Sequence, residues 1–279
     1  MYEIVAKEDL APVTKLFEVR APTVAHKARS GQFVIIRIDE EGERIPLTIA
    51  DYDRERGTIT LVVQEVGKTT MQMGRMQAGD ALASFTGPLG LPSEVEDFGT
   101  VLCVGGGVGI APVYPLARDL KEAGNRVLSI IGARNRDLLF WEDKMRAVSD
   151  ELLVCTDDGS YGRKALVTIP MKEMLDAGQP IEHIWAIGPA IMMKFCALTT
   201  QPFGVPTTVS LNSIMVDGTG MCGACRVEVG GQTRFVCVDG PEFDGHQVDW
   251  DQLLARQRIY LNQEQQAVEK WQHDCQCGG

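Results

Sequence analysis

Three thiols and a carboxylate at fixed intervals constrain what this chain can fold into more than any other feature. The stretch Asp217-Gly-Thr-Gly-Met-Cys222-Gly-Ala-Cys225 is followed, after eleven residues, by Cys237, giving the spacing D-x4-C-x2-C-x11-C. The interval C-x4-C-x2-C with a distant fourth Cys wraps a two-iron, two-sulfur cluster, and Asp217 stands where the first Cys would be. Its carboxylate keeps the ligand charge of four thiolates while placing a harder donor on one iron. Gly218, Gly220 and Gly223 let the loop curl around inorganic sulfide and turn N–H groups toward it. Cys222-x2-Cys225 alone also suits half a zinc site or a redox dithiol. A zinc site wants a second close ligand pair, and only Cys237 follows nearby. A redox dithiol usually opens a helix, whereas Val227, Val229, Phe235 and Val236 read as a hairpin about Gly230-Gly231. The spacing therefore predicts a 2Fe-2S site held by Asp217, Cys222, Cys225 and Cys237, with the tail thiols Cys275 and Cys277 as competing donors.

A chain of 279 residues, 44% hydrophobic, has room for two medium domains and a small one around that loop. The net charge of −11 argues against nucleic acid and anionic membrane as partners. Met1 to Leu16 has no long apolar run, so neither a signal peptide nor a membrane span is expected there, and the cytoplasm is the expected compartment. Eight cysteines are too few for a disulfide scaffold. Cys103, Cys155 and Cys196 fall in apolar runs and read as core residues. The four histidines show no paired spacing.

Residues 1 to about 95 read as short strands separated by turns, notably Leu16–Val19, Gln32–Ile38, Arg44–Ile49 and Thr58–Gln64, which suggests an antiparallel barrel with one helix over Thr70–Gln77. Near Phe98 the pattern changes. Buried-strand runs begin at Thr100, Arg126, Leu152 and His183 and alternate with helical stretches over 113–123, 138–148, 169–177 and 190–198. That alternation predicts a doubly wound parallel sheet. The chain is expected to leave the sheet after Pro202, enter the cluster loop, and finish in a partly helical tail anchored by Trp250, Leu253, Leu254, Ile259 and Trp271.

Between the first of these strands and its helix lies Gly105-Gly-Gly-Val-Gly-Ile-Ala-Pro112, four glycines in five residues. It is not the G-x-G-x-x-G fingerprint, yet Gly106, Gly107, Val108, Gly109 and Pro112 would bring a dinucleotide pyrophosphate against backbone and helix N-terminus. Gly188-Pro189 offers a second backbone approach at the same sheet edge. Arg134, with Arg136, follows the second strand and by simple chemistry would suit a 2′-phosphate. In the barrel, Gly67 to Thr70 presents backbone N–H groups and hydroxyls to a diphosphate, and Arg44 a charge beside it.

These motifs resemble the ferredoxin-reductase superfamily over residues 1 to about 200. Through the cluster loop they resemble the iron–sulfur flavoprotein subunits related to the dihydroorotate dehydrogenase electron-transfer subunit. Within that group the likeness is strongest to the small-subunit family of NADH-dependent reduced-ferredoxin:NADP oxidoreductases. The resemblance implies an FAD-binding β-barrel over 1–97, an NAD(P)-binding α/β domain over 98–203 and a 2Fe-2S region with tail over 204–279. It implies flavin contacts at Ile45, Pro46, Leu47 and Thr48, at Val62, Val63 and Gln64, and at Thr69 and Thr70. The dihydroorotate branch carries Cys at the first cluster position, so Asp217 departs from that branch and matches the ferredoxin:NADP one.

The implied chemistry is an oxidoreductase relay among NAD(H), FAD and the cluster. It needs stacking and orientation more than a protein acid or base, so no catalytic side chain is assigned. The resemblance also implies a larger subunit with a second flavin and four-iron clusters, ferredoxin reached through that subunit, and electron bifurcation by the pair. It favours NAD over NADP, against the plain reading of Arg134. The alternatives are the electron-transfer subunit of a dihydroorotate or other dehydrogenase and, from another class, a nucleotide-binding redox-sensing regulator.

Overall fold

The structure, a computed structural model, describes residues 1–277, with side chains through His273. The chain first forms β1 (Tyr2–Ala11), β2 (Thr14–Arg20), α1 (Pro22–Ala25), β3 (Phe33–Arg37), β4 (Ile45–Asp53), β5 (Thr58–Gln64), α2 (Lys68–Arg75), β6 (Ala81–Leu82) and β7 (Ser84–Leu89). These strands make one antiparallel sheet in the order β6-β1-β2-β5-β4-β3-β7. Its edge strands β6 and β7 are consecutive in sequence and separated only by Ala83, so the sheet curls into a nearly closed barrel.

The apolar runs in these strands have a physical reason. In β3, Val34 and Ile36 fill the barrel, while Phe33 and Ile35 point outward into a second core. In β5, Leu61 and Val63 point in and Val62 points out. A strand buried on both faces loses the polar alternation of a solvated one.

The second sheet is built from β8 (Thr100–Gly106), α3 (Ile110–Glu122), β9 (Arg126–Ala133), α4 (Glu142–Val148), β10 (Glu151–Thr156), β11 (Arg163–Lys164), α5 (Thr168–Asp176), β12 (His183–Ile187), α6 (Ala190–Thr200) and β13 (Thr207–Ser210). Then come β14 (Arg226–Val229), β15 (Gln232–Phe235), α7 (Val236–Asp239), β16 (Glu242–Asp244), α8 (Trp250–Arg256) and α9 (Leu261–Cys277). The order is β11-β10-β9-β8-β12-β13-β16, parallel except for β16. Strand order therefore reverses between β8 and β12, and the crevice beyond their carboxyl ends is where open α/β sheets take ligands. One face of the sheet packs α3 and α4 together with Ala50 and Val62 of the barrel. The other packs α5, α6 and α8 and runs on through Cys225, Val227 and Cys237 to Phe33 and Ile35. The Arg118–Asp51 ion pair, 2.7 Å long, ties α3 to β4 across the seam.

Several sequence expectations are corrected. The chain does not leave the sheet at Pro202: β13 pairs with β12, and β16 returns from beyond the cluster loop to pair with β13. The short polar run of β13 is sheltered because Thr207 is buried and bonded to Thr200. The helix expected over 138–148 starts only at Glu142. Trp141 before it is left-handed at φ 57°, held edge-on against Tyr114 and Phe140. Helix α2 starts two residues early at Lys68, and α3 starts at Ile110, so Pro112 lies in its first turn. Of the expected tail anchors, Trp250 and Leu253 are buried, but Ile259 is exposed. The Cys275 and Cys277 side chains lie outside the described residues. No helix among the described residues is long and apolar enough to cross a membrane.

Candidate flavin, nucleotide and iron–sulfur sites

At the start of α2 the Thr70 hydroxyl accepts from the N–H groups of Val66 and Gly67, which fixes the turn before the helix. The N–H groups of Lys68, Thr69 and Thr70 point out of the first turn, the geometry that receives an anion. Thr69 is buried and bonds the Glu43 carboxylate. Arg44, next in sequence, is exposed and makes no ion pair among the described residues. Ile45 and Leu47 lean on the barrel core, with Pro46 and Thr48 half-buried between them on β4. Val62 faces the seam, Val63 the barrel interior, and Gln64 ends β5 at the mouth of a cleft.

That cleft, about 630 Å³, lies over the strand-order reversal. Gln64, Gly106, Gly107, Val108, Arg134 and Pro189 all line it, so one flavin-set residue and five nucleotide-set residues meet there. Gly109, Pro112 and Gly188 do not line it, although Gly188 abuts the Gly106 carbonyl oxygen. A Cβ at Gly109 would sit 2.3 Å from the Ile187 carbonyl oxygen and 2.7 Å from Gly188 Cα, so only glycine lets α3 approach β12 this closely. Ile191 and Phe195 supply an exposed apolar wall. Sequence reasoning missed these two, because a helix end of this kind reads as core. It also missed Asp157, which lines the cleft from the end of β10. The acid pair Asp157-Asp158 at a strand's carboxyl end was the available signal.

The third site hangs between the barrel and the β14–β15 hairpin. Asp217 accepts from the Thr219 N–H at 2.8 Å and the Cys222 N–H at 2.9 Å. The Thr219 bond, then that of Cys222, holds its carboxyl below the usual range. Gly218 is left-handed at φ 75° and lies against the barrel, where a Cβ would meet the Ile35 and Leu89 terminal methyls at 2.6 and 2.8 Å. Cys225 and Cys237 are buried with sulfurs 3.2 Å apart, and burial, reinforced by the Cys225 thiol, raises the Cys237 thiol. Cys222 is exposed. Among the described residues no three donors already stand at metal-binding distance. The donor set nevertheless fits a cluster. Tetrahedral metal–sulfur bonds of about 2.3 Å give a sulfur–sulfur edge of about 3.8 Å, so the two buried thiols need to part by only about 0.6 Å.

A fourth group had no sequence signal. Glu242, on β16, is half-buried in the seam between the barrel and the second sheet and accepts from Ser93 Oγ at 2.6 Å. Burial pushes its carboxyl up to about 7.

The barrel, the doubly wound sheet and the shared cleft define a ferredoxin-reductase-type flavoprotein oxidoreductase. The profile of the oxidoreductase FAD-binding domain matches residues 1–92, and that of the iron–sulfur cluster binding domain of dihydroorotate dehydrogenase B matches residues 212–249. A Thermotoga maritima protein named as a dihydroorotate dehydrogenase B (NAD(+)) electron transfer subunit homolog is 53% identical over 96% of this chain and 95% of its own length. The electron transfer subunit of dihydroorotate dehydrogenase B from Geobacillus thermodenitrificans is 33% identical over 88% and 96%. A solved structure of an NADH-dependent reduced ferredoxin-NADP oxidoreductase, studied for flavin-based electron bifurcation, superposes with a TM-score of 0.91 at 51% identity, covering 97% of this chain and 98% of the other. Phthalate dioxygenase reductase, at 18% identity and a TM-score of 0.58, shares the fold alone. The chain belongs to the family of dihydroorotate dehydrogenase B electron-transfer subunits.

Proposed function

We propose that this chain is the NADH-oxidising, FAD- and 2Fe-2S-carrying subunit of an electron-bifurcating ferredoxin:NADP oxidoreductase, working with a larger subunit that carries a second flavin and four-iron clusters. The carrying observation is the single cleft that joins Gln64 at the barrel mouth to Gly106–Val108, Arg134 and Pro189 at the sheet edge. Three regions divide the labour: 1–97 for flavin, 98–203 for nucleotide, and 204–279 for the cluster. Bound FAD and a bound cluster would supply hydride acceptance and a one-electron outlet. The N-terminal N–H groups of α2 and Arg44 receive the flavin diphosphate, and Ile45–Thr48 with Val62–Gln64 position the ring. Gly106–Gly109, backed by Pro112 and Gly188, let the dinucleotide pyrophosphate reach the first turn of α3, while Ile191 and Phe195 exclude water. Cys225 and Cys237, side by side, hold one iron; Cys222 and Asp217, already linked by the N–H bond, hold the other.

The ferredoxin:NADP branch is favoured over a dihydroorotate dehydrogenase subunit by the carboxylate at position 217 and by 51% identity to the bifurcating-type structure against 33% to the Geobacillus subunit, the 53% identical Thermotoga protein carrying the dihydroorotate dehydrogenase name only as a homolog. Isolation of the native complex tests the choice. A partner containing flavin and four-iron clusters, with NADP reduced only when NADH and reduced ferredoxin are both present, supports it. A partner that oxidises dihydroorotate contradicts it.

A further inference from the structure

We infer that Asp157 is the residue that selects NAD(H) over NADP(H), by taking the adenosine ribose 2′-hydroxyl at the carboxyl edge of β10. The inference rests on the nucleotide reading of the cleft and adds the group that decides which nucleotide enters.

The sequence offered two arginines for a 2′-phosphate, and the structure separates them. Arg134 lines the cleft. Arg136 is not among the residues that line the cleft; its guanidinium lies 5.4 Å from the centre of the Tyr161 ring and its N–H bonds Ser160 Oγ at 2.9 Å. Among the described residues Arg134 is the one cation that lines the cleft, and the Asp157 carboxylate lines it too. Asp157 follows the last residues paired between β9 and β10, its N–H bonding the Ala133 carbonyl at 3.1 Å, and the Asp158 N–H bonds the Arg134 carbonyl at 3.2 Å. The two side chains thus stand on neighbouring strand ends in one cleft.

The turn that carries Asp157 is tightly fixed. Thr156 Oγ1 donates to the Tyr161 carbonyl and accepts the Tyr161 N–H, and Asp158 accepts from the Ser160 N–H. Asp158 bonds within the turn and is not among the residues that line the cleft. The Asp157 carboxylate and the Arg134 guanidinium have no hydrogen bond or ion pair among the described residues, with each other or with any other side chain. Opposite charges left unpaired on a rigid rim are free for a ligand.

The chemistry then has a sign. A ribose diol donates hydrogen bonds to a carboxylate, a charge-assisted contact. A 2′-phosphate, carrying close to two negative charges, offers no proton in return and meets like charge at contact distance. Arg134 serves parts common to both nucleotides, such as the pyrophosphate or the adenine face, rather than the 2′-position.

Calorimetry of the flavin-loaded protein with ADP-ribose and with 2′-phospho-ADP-ribose tests this without turnover. The wild type is expected to bind ADP-ribose at least tenfold more tightly. Asp157→Asn should lose about tenfold for ADP-ribose while gaining for the 2′-phosphate, the size of one charge-assisted hydrogen bond. Arg134→Ala should weaken both ligands by a similar factor. NADH and NADPH oxidation by ferricyanide should move in parallel, with kcat/KM shifting and kcat for NADH holding. Equal affinities in the wild type, an unchanged ratio in Asp157→Asn, or a loss in Arg134→Ala confined to the 2′-phosphate each overturns the inference while leaving the cleft a nucleotide site. Binding of neither ligand overturns the nucleotide reading itself.

Discussion

Gly109→Ala is a sharp test of how the nucleotide crevice is built. Gly109 has φ −63°, so alanine suits its backbone and the effect is purely steric. The new methyl carbon would lie 2.3 Å from the Ile187 oxygen and 2.7 Å from Gly188 Cα, both backbone atoms that cannot rotate aside. Overpacking of this kind costs about 1–3 kcal/mol, here near the upper end, and the better helix propensity of alanine returns at most about 1 kcal/mol. A net loss of roughly 2 kcal/mol lowers Tm by about 4–8 °C in a protein of this size. Parting β12 from α3 also moves the pyrophosphate seat, and a displacement approaching 1 Å costs up to about 100-fold in rate. Gly109→Ala should therefore keep its FAD and cluster spectra, lose Tm by that amount, and lose about 10- to 100-fold in kcat/KM for NADH. Gly178→Ala is the control: φ is 70°, nothing lies within 4 Å, and the position is remote from all three sites, so it should cost about 1 kcal/mol of stability and no activity. Scanning fluorimetry and ferricyanide reduction read both quantities. If Gly109→Ala keeps wild-type Tm and kcat/KM, the close approach of α3 to β12 does not shape the nucleotide seat and the argument fails.

Arg44→Ala should weaken FAD retention by about tenfold or more, one charge-assisted contact, and leave the cluster spectrum intact; unchanged flavin release on dilution would make Arg44 a plain surface charge. Asp217→Cys should keep the cluster and lower its potential, because thiolate donates more strongly than carboxylate, whereas Asp217→Ala should make it labile. If instead truncation after Asp274 abolishes the EPR signal and Asp217→Ala leaves it unchanged, the tail thiols are the ligands. Glu242, raised by burial from 4.5 to about 7, stabilises the fold fully below about 4.5 and loses that contribution as pH rises through 7. His183 runs the other way: lowered by burial from 6.5 to about 4, it contributes above 6.5 and loses its contribution as pH falls toward 4. The two offset each other between them, so Glu242→Gln should raise Tm over wild type at pH 8 and uncover a fall in Tm from pH 6.5 to 5; a variant that only parallels the wild-type curve would show that Glu242 does not titrate in this range.

The sequence made the two large sheets legible because their strands are apolar on both faces, as Phe33–Ile36 and Val101–Val104 are. It hid β1, whose Glu3, Glu8 and Asp9 are exposed and whose Lys7 donates to the Gly74 carbonyl, while only Ile4 and Ala11 are buried. Cross-strand pairs, Lys15 with Asp9 at 3.0 Å and Arg20 with Glu3 at 3.1 Å, make that charged strand compatible with a sheet. The thiol loop stood out in the sequence because Asp217, Cys222, Cys225 and Cys237 lie close together in it. The cleft was half readable: glycines betray a close backbone approach, but Asp157 becomes a neighbour of Arg134 only through strand pairing. Glu242 was not readable at all, since its burial depends on Ser93, about 150 residues away and brought near by β16 returning to the sheet.

The central claim is that one chain carries electrons from NADH through flavin to a two-iron cluster. Anaerobic mixing of the purified, reconstituted protein with NADH, followed by flavin absorbance and then by low-temperature EPR of the same sample, tests it most directly. The account predicts flavin bleaching together with a reduced 2Fe-2S signal, a signal that fails to form in Gly109→Ala at low NADH and returns at high NADH. Flavin bleaching with no cluster signal in a protein that holds zinc instead of iron would contradict it.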